Sequence, residues 1–159
     1  MSKTVLITGC SNGGLGAAMA KVYRSKGFRV FATLRNKAKV GDLDEVDGIE
    51  ILELEVTSVE SIQQCANIVA KCTGDTLDIL VNNAGVGTAR PLLDTSLNDA
   101  KKMYDTNVWS ILAMAQAFSP MLIKARGTMC NISSVSGEIV FAWQGTSALD
   151  SIFQGLFAS

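Results

Sequence analysis

The sequence predicts an α/β fold, an open, doubly wound parallel sheet of about five strands with helices between them. Three observations carry the prediction. Apolar runs alternate with segments of 3.6-residue period along the chain. The composition, 48% hydrophobic and 18% charged, suits strands buried on both faces. The length of 159 residues is that of one domain with a sizeable core.

Residues 4–8 read as the first strand. Leu15, Ala18, Met19 and Val22 mark one face of the helix that follows, which Gly27 stops. Residues 28–34 form strand two. The charged stretch RNKAKVGDLDEVDG after it reads as an exposed, linker-like connection. Residues 49–56 form strand three. Thr57 with Glu60 three positions on reads as a capping box for a helix that carries Val59, Ile62, Ala66 and Val69 on one side. Residues 77–81 form strand four. A long helix over 97–124 places Tyr104, Val108, Ile111, Ala115 and Phe118 at helical spacing, and Pro120 is expected to kink or shorten it. Gly127 ends that helix, and residues 128–132 are strand five. Right-handed connections then give the doubly wound sheet.

Several function classes are disfavoured at once. A net charge of -1 and a pI of about 5.4 give no footprint for nucleic acid or an anionic membrane. No apolar run approaches the roughly 20 residues of a membrane span. The opening MSKTVLITG enters a strand directly, so no secretory leader and a cytoplasmic location are expected. The four cysteines show no CxxC spacing and the chain has no histidine, so no metal site is expected. Cys65 and Cys72 share a helical face and read as core packing.

The chemistry-bearing stretch is VLITGCSNGGLGAAMA, which sets Gly9, Gly14 and Gly16 between strand one and the first helix. Glycines there let backbone N–H groups approach a diphosphate at the positive end of a helix, the device of Rossmann-like dinucleotide sites. An acidic residue at the end of strand two would favour a ribose 2′-OH. The sequence has Leu34-Arg35-Asn36-Lys37 instead, and Arg35 suits a 2′-phosphate, which favours NADP(H) over NAD(H).

Further motifs stand in order: TGCSNGGLG from Thr8, NNAG from Asn82, TNV around Asn107, and NISS from Asn131. Together they closely resemble the short-chain dehydrogenase/reductase family. The glycine loop is one residue longer than the usual TGxxxGxG, as in fungal-type NADPH-dependent acyl-dihydroxyacetone-phosphate reductases. The resemblance implies that Gly9, Ser11, Asn12, Gly14, Leu15 and Gly16 hold the diphosphate and Arg35 the 2′-phosphate. It implies that Glu55, where the family usually has Asp, lies beside the adenine with Val56. Asn83, Ala84 and Gly85 would line the nicotinamide ribose. Asn107 matches the family's active-site Asn, and Ser134 the Ser that binds the substrate oxygen.

The match breaks after NISS. The family's acid/base Tyr stands thirteen residues past that Ser, with a Lys four further on, but here the count gives Ser147 and Ser151. Serine hydroxyls are too weakly acidic to substitute unaided, and such acid–base help is worth about 10²–10⁴-fold. The tyrosines, Tyr23 and Tyr104, fall on predicted helices and read as packing. Ser134 with Asn107 could still polarise a carbonyl or enol by hydrogen bonding. The chain also stops inside what resembles the next helix, so a shortened single domain over 1–159, without the family's last strands and substrate region, is expected. That leaves strand five an apolar edge and FAWQGTSALDSIFQGLF without an intramolecular partner, and predicts a homodimer or larger homo-oligomer, segment exchange included. Three functional readings follow: an NADP(H)-binding oxidoreductase on a small, polyketide-like carbonyl or enol without the usual Tyr and Lys; a non-redox isomerase, dehydratase or cyclase in the same pocket; and an inactive cofactor-binding scaffold.

Overall fold

The computed structural model describes residues 2–135. Five strands, β1 (Thr4–Ile7), β2 (Arg29–Leu34), β3 (Ile49–Glu53), β4 (Ile79–Asn82) and β5 (Thr128–Asn131), form one sheet in the order β3-β2-β1-β4-β5. Every pairing is parallel, with Val5 beside Val30 on one side and Ile79 on the other. The pleat sends successive residues of β1 to opposite faces. Val5 and Ile7 join Ala17, Ala20 and Leu43 in one core, while Leu6 joins Ile62, Leu80 and Phe118 in the other. The doubly wound α/β sheet expected from the sequence is therefore present.

The helices differ from expectation in instructive ways. In α1 (Leu15–Ser25) the buried residues are Gly16, Ala17 and Ala20, while Leu15 and Val22 are 57% and 53% exposed. The apolar spacing misled because small residues, not large ones, let this helix lie close on the sheet. In α2 (Val59–Thr73) the cap is Ser58 rather than Thr57: its Oγ accepts the Ser61 N–H at 3.2 Å. Thr57 is engaged elsewhere, donating its N–H and hydroxyl to Glu55 Oε1 at 3.2 and 3.0 Å. The capping device is real but sits one residue later. Cys65 is buried on this helix; Cys72, in its last turn, is exposed and not core.

The charged stretch after β2 is more than a linker. It forms two short 3₁₀ turns, Lys37–Lys39 and Gly41–Glu45. Leu43 is fully buried in the core beside α1, and Val40 and Val46 pack against it. One apolar residue among charges was enough to anchor the segment.

The long helix is continuous but not uniform. It runs as α3 (Leu97–Tyr104), a π-turn (Asp105–Trp109) and α4 (Ser110–Ala125). Over 29 residues it is long and apolar enough, by length and composition alone, to cross a membrane, contrary to the sequence reading. One side of it is packed: Val108, Ile111, Met114, Phe118 and Met121 are buried, while Trp109, Leu112 and Ile123 are exposed. Pro120 lies inside α4 without ending it. A proline there leaves the carbonyl four residues back without its helical donor, and Ser119 Oγ donates to that Gln116 carbonyl at 3.4 Å. At the C-terminus Arg126 takes the left-handed conformation (φ 53°). Gly127 is required for another reason: a Cβ there would lie 2.5 Å from the Leu77 carbonyl oxygen and 2.6 Å from that of Asp78. Among the described residues β3 and β5 are the sheet edges.

Candidate functional site

From β1 the chain moves through β2 to β3 on one side and returns to β4 and β5 on the other. Such a reversal opens a crevice beyond the C-terminal ends of the two central strands, where α/β folds bind ligands. Here it opens between Gly9, after β1, and Asn83, after β4.

The two strand ends are tied together by side chains. The Thr8 hydroxyl accepts the N–H groups of Asn83 and Ala84 at 2.9 and 2.8 Å. Asn83 Nδ2 donates to the carbonyls of Thr8 and Gly9 at 2.7 and 3.1 Å. This closeness dictates the glycines. Gly9 turns the chain at φ 73°, and a Cβ on it would lie 2.9 Å from Ala84 Cα. A Cβ on Gly16 would lie 2.5 Å from the Gly9 carbonyl oxygen and 2.6 Å from Asn83 Nδ2. Gly14 caps α1 with no side-chain bond, and the first turn holds no acidic residue. The positive end of the helix therefore carries no anion of its own. Burial in this loop pushes the Cys10 thiol up to about 12, against a smaller opposing hydrogen bond from the Thr33 backbone, so Cys10 is a packing residue.

A cleft of about 510 Å³ runs outward from this point. Of the residues expected to hold a cofactor, Gly9, Ser11, Leu15, Arg35, Glu55, Val56, Asn83, Ala84 and Gly85 line it. Asn12, Gly14 and Gly16 do not: Gly14 and Gly16 shape the turn from behind, and Asn12 faces Gly41. The sequence reading missed Lys39, Asn36, Val86 and Thr106, which also line the cleft. Lys39 had a readable signal, a further cation four residues after Arg35 and two after Lys37. Arg35 is 69% exposed and pairs with Glu55 across 3.7 Å, a weak surface pair.

The substrate-side expectations fare differently. Asn107 is buried in the π-turn and does not line the cleft. Its Oδ1 accepts the Val86 N–H and its Nδ2 donates to the Val86 carbonyl, each at 2.8 Å. The amide thus fixes the backbone after Gly85. Ser134 is exposed, beyond the end of β5. Tyr23 packs edge-on against Phe28, with ring centroids 5.2 Å apart. Ser147, Ser151 and the apolar segment invoked for segment exchange lie outside the described residues. Asn82, at the end of β4, donates from Nδ2 to Asn131 Oδ1 at 2.8 Å. Its own Oδ1 is a buried acceptor with no partner among the described residues.

A glycine turn that a side chain would fill, an uncapped helix start and two cations at one end of the cleft fit a dinucleotide. Comparison with known sequences agrees: the family model for short chain dehydrogenases matches residues 3–147. The chain belongs to the short-chain dehydrogenase family. Short-chain dehydrogenases bind a nicotinamide cofactor. A short-chain dehydrogenase named cctT from Talaromyces islandicus is 79% identical over 145 residues, 91% of this chain and 51% of that protein. An NADPH-dependent 1-acyldihydroxyacetone phosphate reductase from Schizosaccharomyces pombe is 38% identical, over 89% of this chain and 47% of that protein. The chain thus spans about half the length of these curated relatives. A short-chain dehydrogenase structure from Streptomyces avermitilis superposes with a TM-score of 0.90 at 27% identity, covering 99% of this chain and 58% of that one.

Proposed function

We propose that this short-chain dehydrogenase chain binds NADP(H) in the cleft and acts as an oxidoreductase on a small carbonyl or enol substrate. The observation that carries the reading is the cleft itself, with the diphosphate turn at Gly9 and two cations, Arg35 and Lys39, where strand two ends. An Asp or Glu that would bind a 2′-OH is absent from that strand end, and the reductase relative from Schizosaccharomyces pombe is by its name NADPH-dependent. The nicotinamide group, when bound, supplies or accepts a hydride. This chain's residues do the rest: the uncapped start of α1 receives the diphosphate, Arg35 the 2′-phosphate, and Ala84 to Val86 flank the ribose near the reacting end. Asn107 holds that backbone in place through Val86. Ser134 offers a hydroxyl to the substrate oxygen. The position thirteen residues after Ser134 is Ser147 rather than Tyr, so water or a hydroxyl of the substrate provides the proton, at a cost of about 10²–10⁴ in rate relative to a full acid/base pair.

Fluorescence titration with NADPH and NADH, beside an Arg35→Ala variant, tests the reading. Tight NADPH binding weakened by the Arg35 change supports it. No binding at millimolar cofactor sinks it. NADPH binding without turnover on any carbonyl leaves a cofactor-binding scaffold in its place.

We also propose self-association. Support comes from the edge position of β5 among the described residues and from Leu112 and Ile123, which are exposed on α4. Light scattering that shows a monomer at micromolar concentration overturns it.

A further inference from the structure

Asn12 and Gly13 form the one Asn-Gly step in the chain. They occupy the middle of a turn that the Gly14 N–H closes by donating to the Ser11 carbonyl at 3.1 Å. Gly13 holds φ at 75°, as the third residue of a type II turn requires. Both residues are exposed. The turn is anchored through the Asn12 N–H, which donates to the Lys39 carbonyl at 2.8 Å, while the Asn12 side chain rests against Gly41. Two groups are left over. Among the described residues neither the Asn12 side-chain amide nor the Gly13 N–H has a hydrogen-bond partner. Nothing lies within 4 Å of where a Gly13 Cβ would stand. A side-chain amide carbon and the next residue's nitrogen, both uncommitted and with no side chain to shield the nitrogen, are the reactants of intramolecular deamidation.

We propose that Asn12-Gly13 is a self-modification site, and that its product disables the diphosphate turn. The Gly13 nitrogen gives up its proton and attacks Asn12 Cγ. The Cγ–Nδ2 bond breaks, the nitrogen leaves as ammonia carrying a proton in exchange, and a cyclic imide remains. Water then opens the ring at either carbonyl. One opening leaves an aspartate at position 12, the other an isoaspartate whose backbone runs through the former side chain. No electrons are exchanged, and water is the only co-reactant. Either product puts a carboxylate beside the start of α1, whose first turn holds no acidic residue, so negative charge opposes a diphosphate there. The isoaspartate also adds a backbone carbon to the turn. Gly9 and Gly16, which sit too close to their neighbours for even a Cβ, leave little room to absorb it. A bound diphosphate would hold Gly13 in place and slow ring closure, so empty copies are altered first. That consequence rests on the reading of the crevice as a dinucleotide site; the modification itself does not.

The experiment incubates the full chain at mildly alkaline pH, with and without saturating NADPH, and reads two quantities over time. Peptide mass mapping with isoaspartyl methyltransferase labelling follows the Asn12 peptide, and fluorescence titration counts NADPH sites per chain. The Asn12 peptide is expected to gain isoaspartate and aspartate ahead of every other asparagine peptide, with binding sites lost in step and NADPH slowing both. Gly13→Ala is expected to suppress the change, because a methyl crowds the attacking nitrogen. Asn12→Asp, which carries the charge without the extra backbone carbon, is expected to weaken NADPH about fivefold. If the Asn12 peptide stays unmodified in the folded chain while a denatured sample deamidates, the inference falls. If isoaspartate accumulates but the count of sites holds, or sites are lost equally fast from Gly13→Ala, the disabling of the turn falls. A fresh chain that binds no NADPH overturns the dinucleotide reading instead, and the peptide map still decides the modification.

Discussion

Asn107 closes both ends of its side-chain amide on one residue, accepting the Val86 N–H and donating to the Val86 carbonyl at 2.8 Å each. This is the pairing a neighbouring strand would provide, supplied by a side chain where no strand continues. Asn107→Ala should lower stability by about 0.5–1.5 kcal/mol, because two hydrogen bonds are lost while Val86 is exposed enough for water to take their place. Urea denaturation with amide exchange at Val86 checks it. Unchanged protection at Val86 would mean the bonds are not maintained in solution.

Thr8 offers a sharper test of how the two strand ends are joined. Its hydroxyl accepts two N–H groups and is almost fully buried. Thr8→Val keeps the shape and strands both donors, so a loss of about 2 kcal/mol is expected. Thr8→Ser keeps the bonds and should cost no more than about 1 kcal/mol, for one methyl. Thermal unfolding of the pair should show the larger drop for valine. The reverse order would show that packing, not bonding, holds the crevice.

Two glycines in one loop should respond differently to alanine. Gly16→Ala places a Cβ 2.5 Å from the Gly9 carbonyl oxygen, so the turn must open. Overpacking of this kind costs about 1–3 kcal/mol, and dinucleotide affinity should fall with it. Gly13 has φ 75° and no atom near enough to meet a Cβ. Gly13→Ala should therefore cost only the left-handed backbone, about 1 kcal/mol, and leave binding within a few-fold. Equal loss of binding in both variants would argue against steric shaping by Gly16.

The cysteines divide by burial. Desolvation pushes the thiols of Cys10 and Cys65 up to about 12 each, while Cys72 and Cys130 are exposed. At pH 8, a thiol reagent should modify Cys72 and Cys130 rapidly and the other two only on unfolding. Both raised groups favour the protonated thiol in the fold. Their contribution to stability is then complete below the unfolded value of 9.0 and is lost as pH climbs through the folded value near 12. Denaturant midpoints should fall across that alkaline window. A Cys10→Ala, Cys65→Ala chain should show a shallower fall.

Much of the architecture was legible because it rests on patterns the chain cannot avoid. A parallel sheet needs alternating apolar runs and periodic segments, and a dinucleotide turn needs glycine where Gly9 and Gly16 meet the strand ends. What escaped depends on distances that spacing does not encode. The buried side of α1 is made of Ala and Gly because the helix lies close, which a hydrophobic stripe cannot reveal. Ser58 outcompeted Thr57 as the cap because Glu55 took Thr57. Lys39 lines the cleft from a turn whose carbonyl accepts the Asn12 N–H, a contact that spacing does not reveal. Asn107 was recognisable as a motif residue, but its partner, the backbone of Val86, carries no side-chain signature.

The position of β1 between β2 and β4 also bears on how the chain acquires its shape. Val5 meets Val30 across a short stretch of sequence and Ile79 across a far longer one. Closing the longer loop costs about 1 kcal/mol more in chain entropy, at roughly 0.6 kcal/mol per doubling, and such distant pairings form late. A folding intermediate with β1, β2 and β3 in register would own a sheet but no crevice, since the second wall arrives with β4. Nucleotide present during refolding would then act on the last step alone, slowing the undocking of β4 while leaving the early assembly of the first three strands untouched.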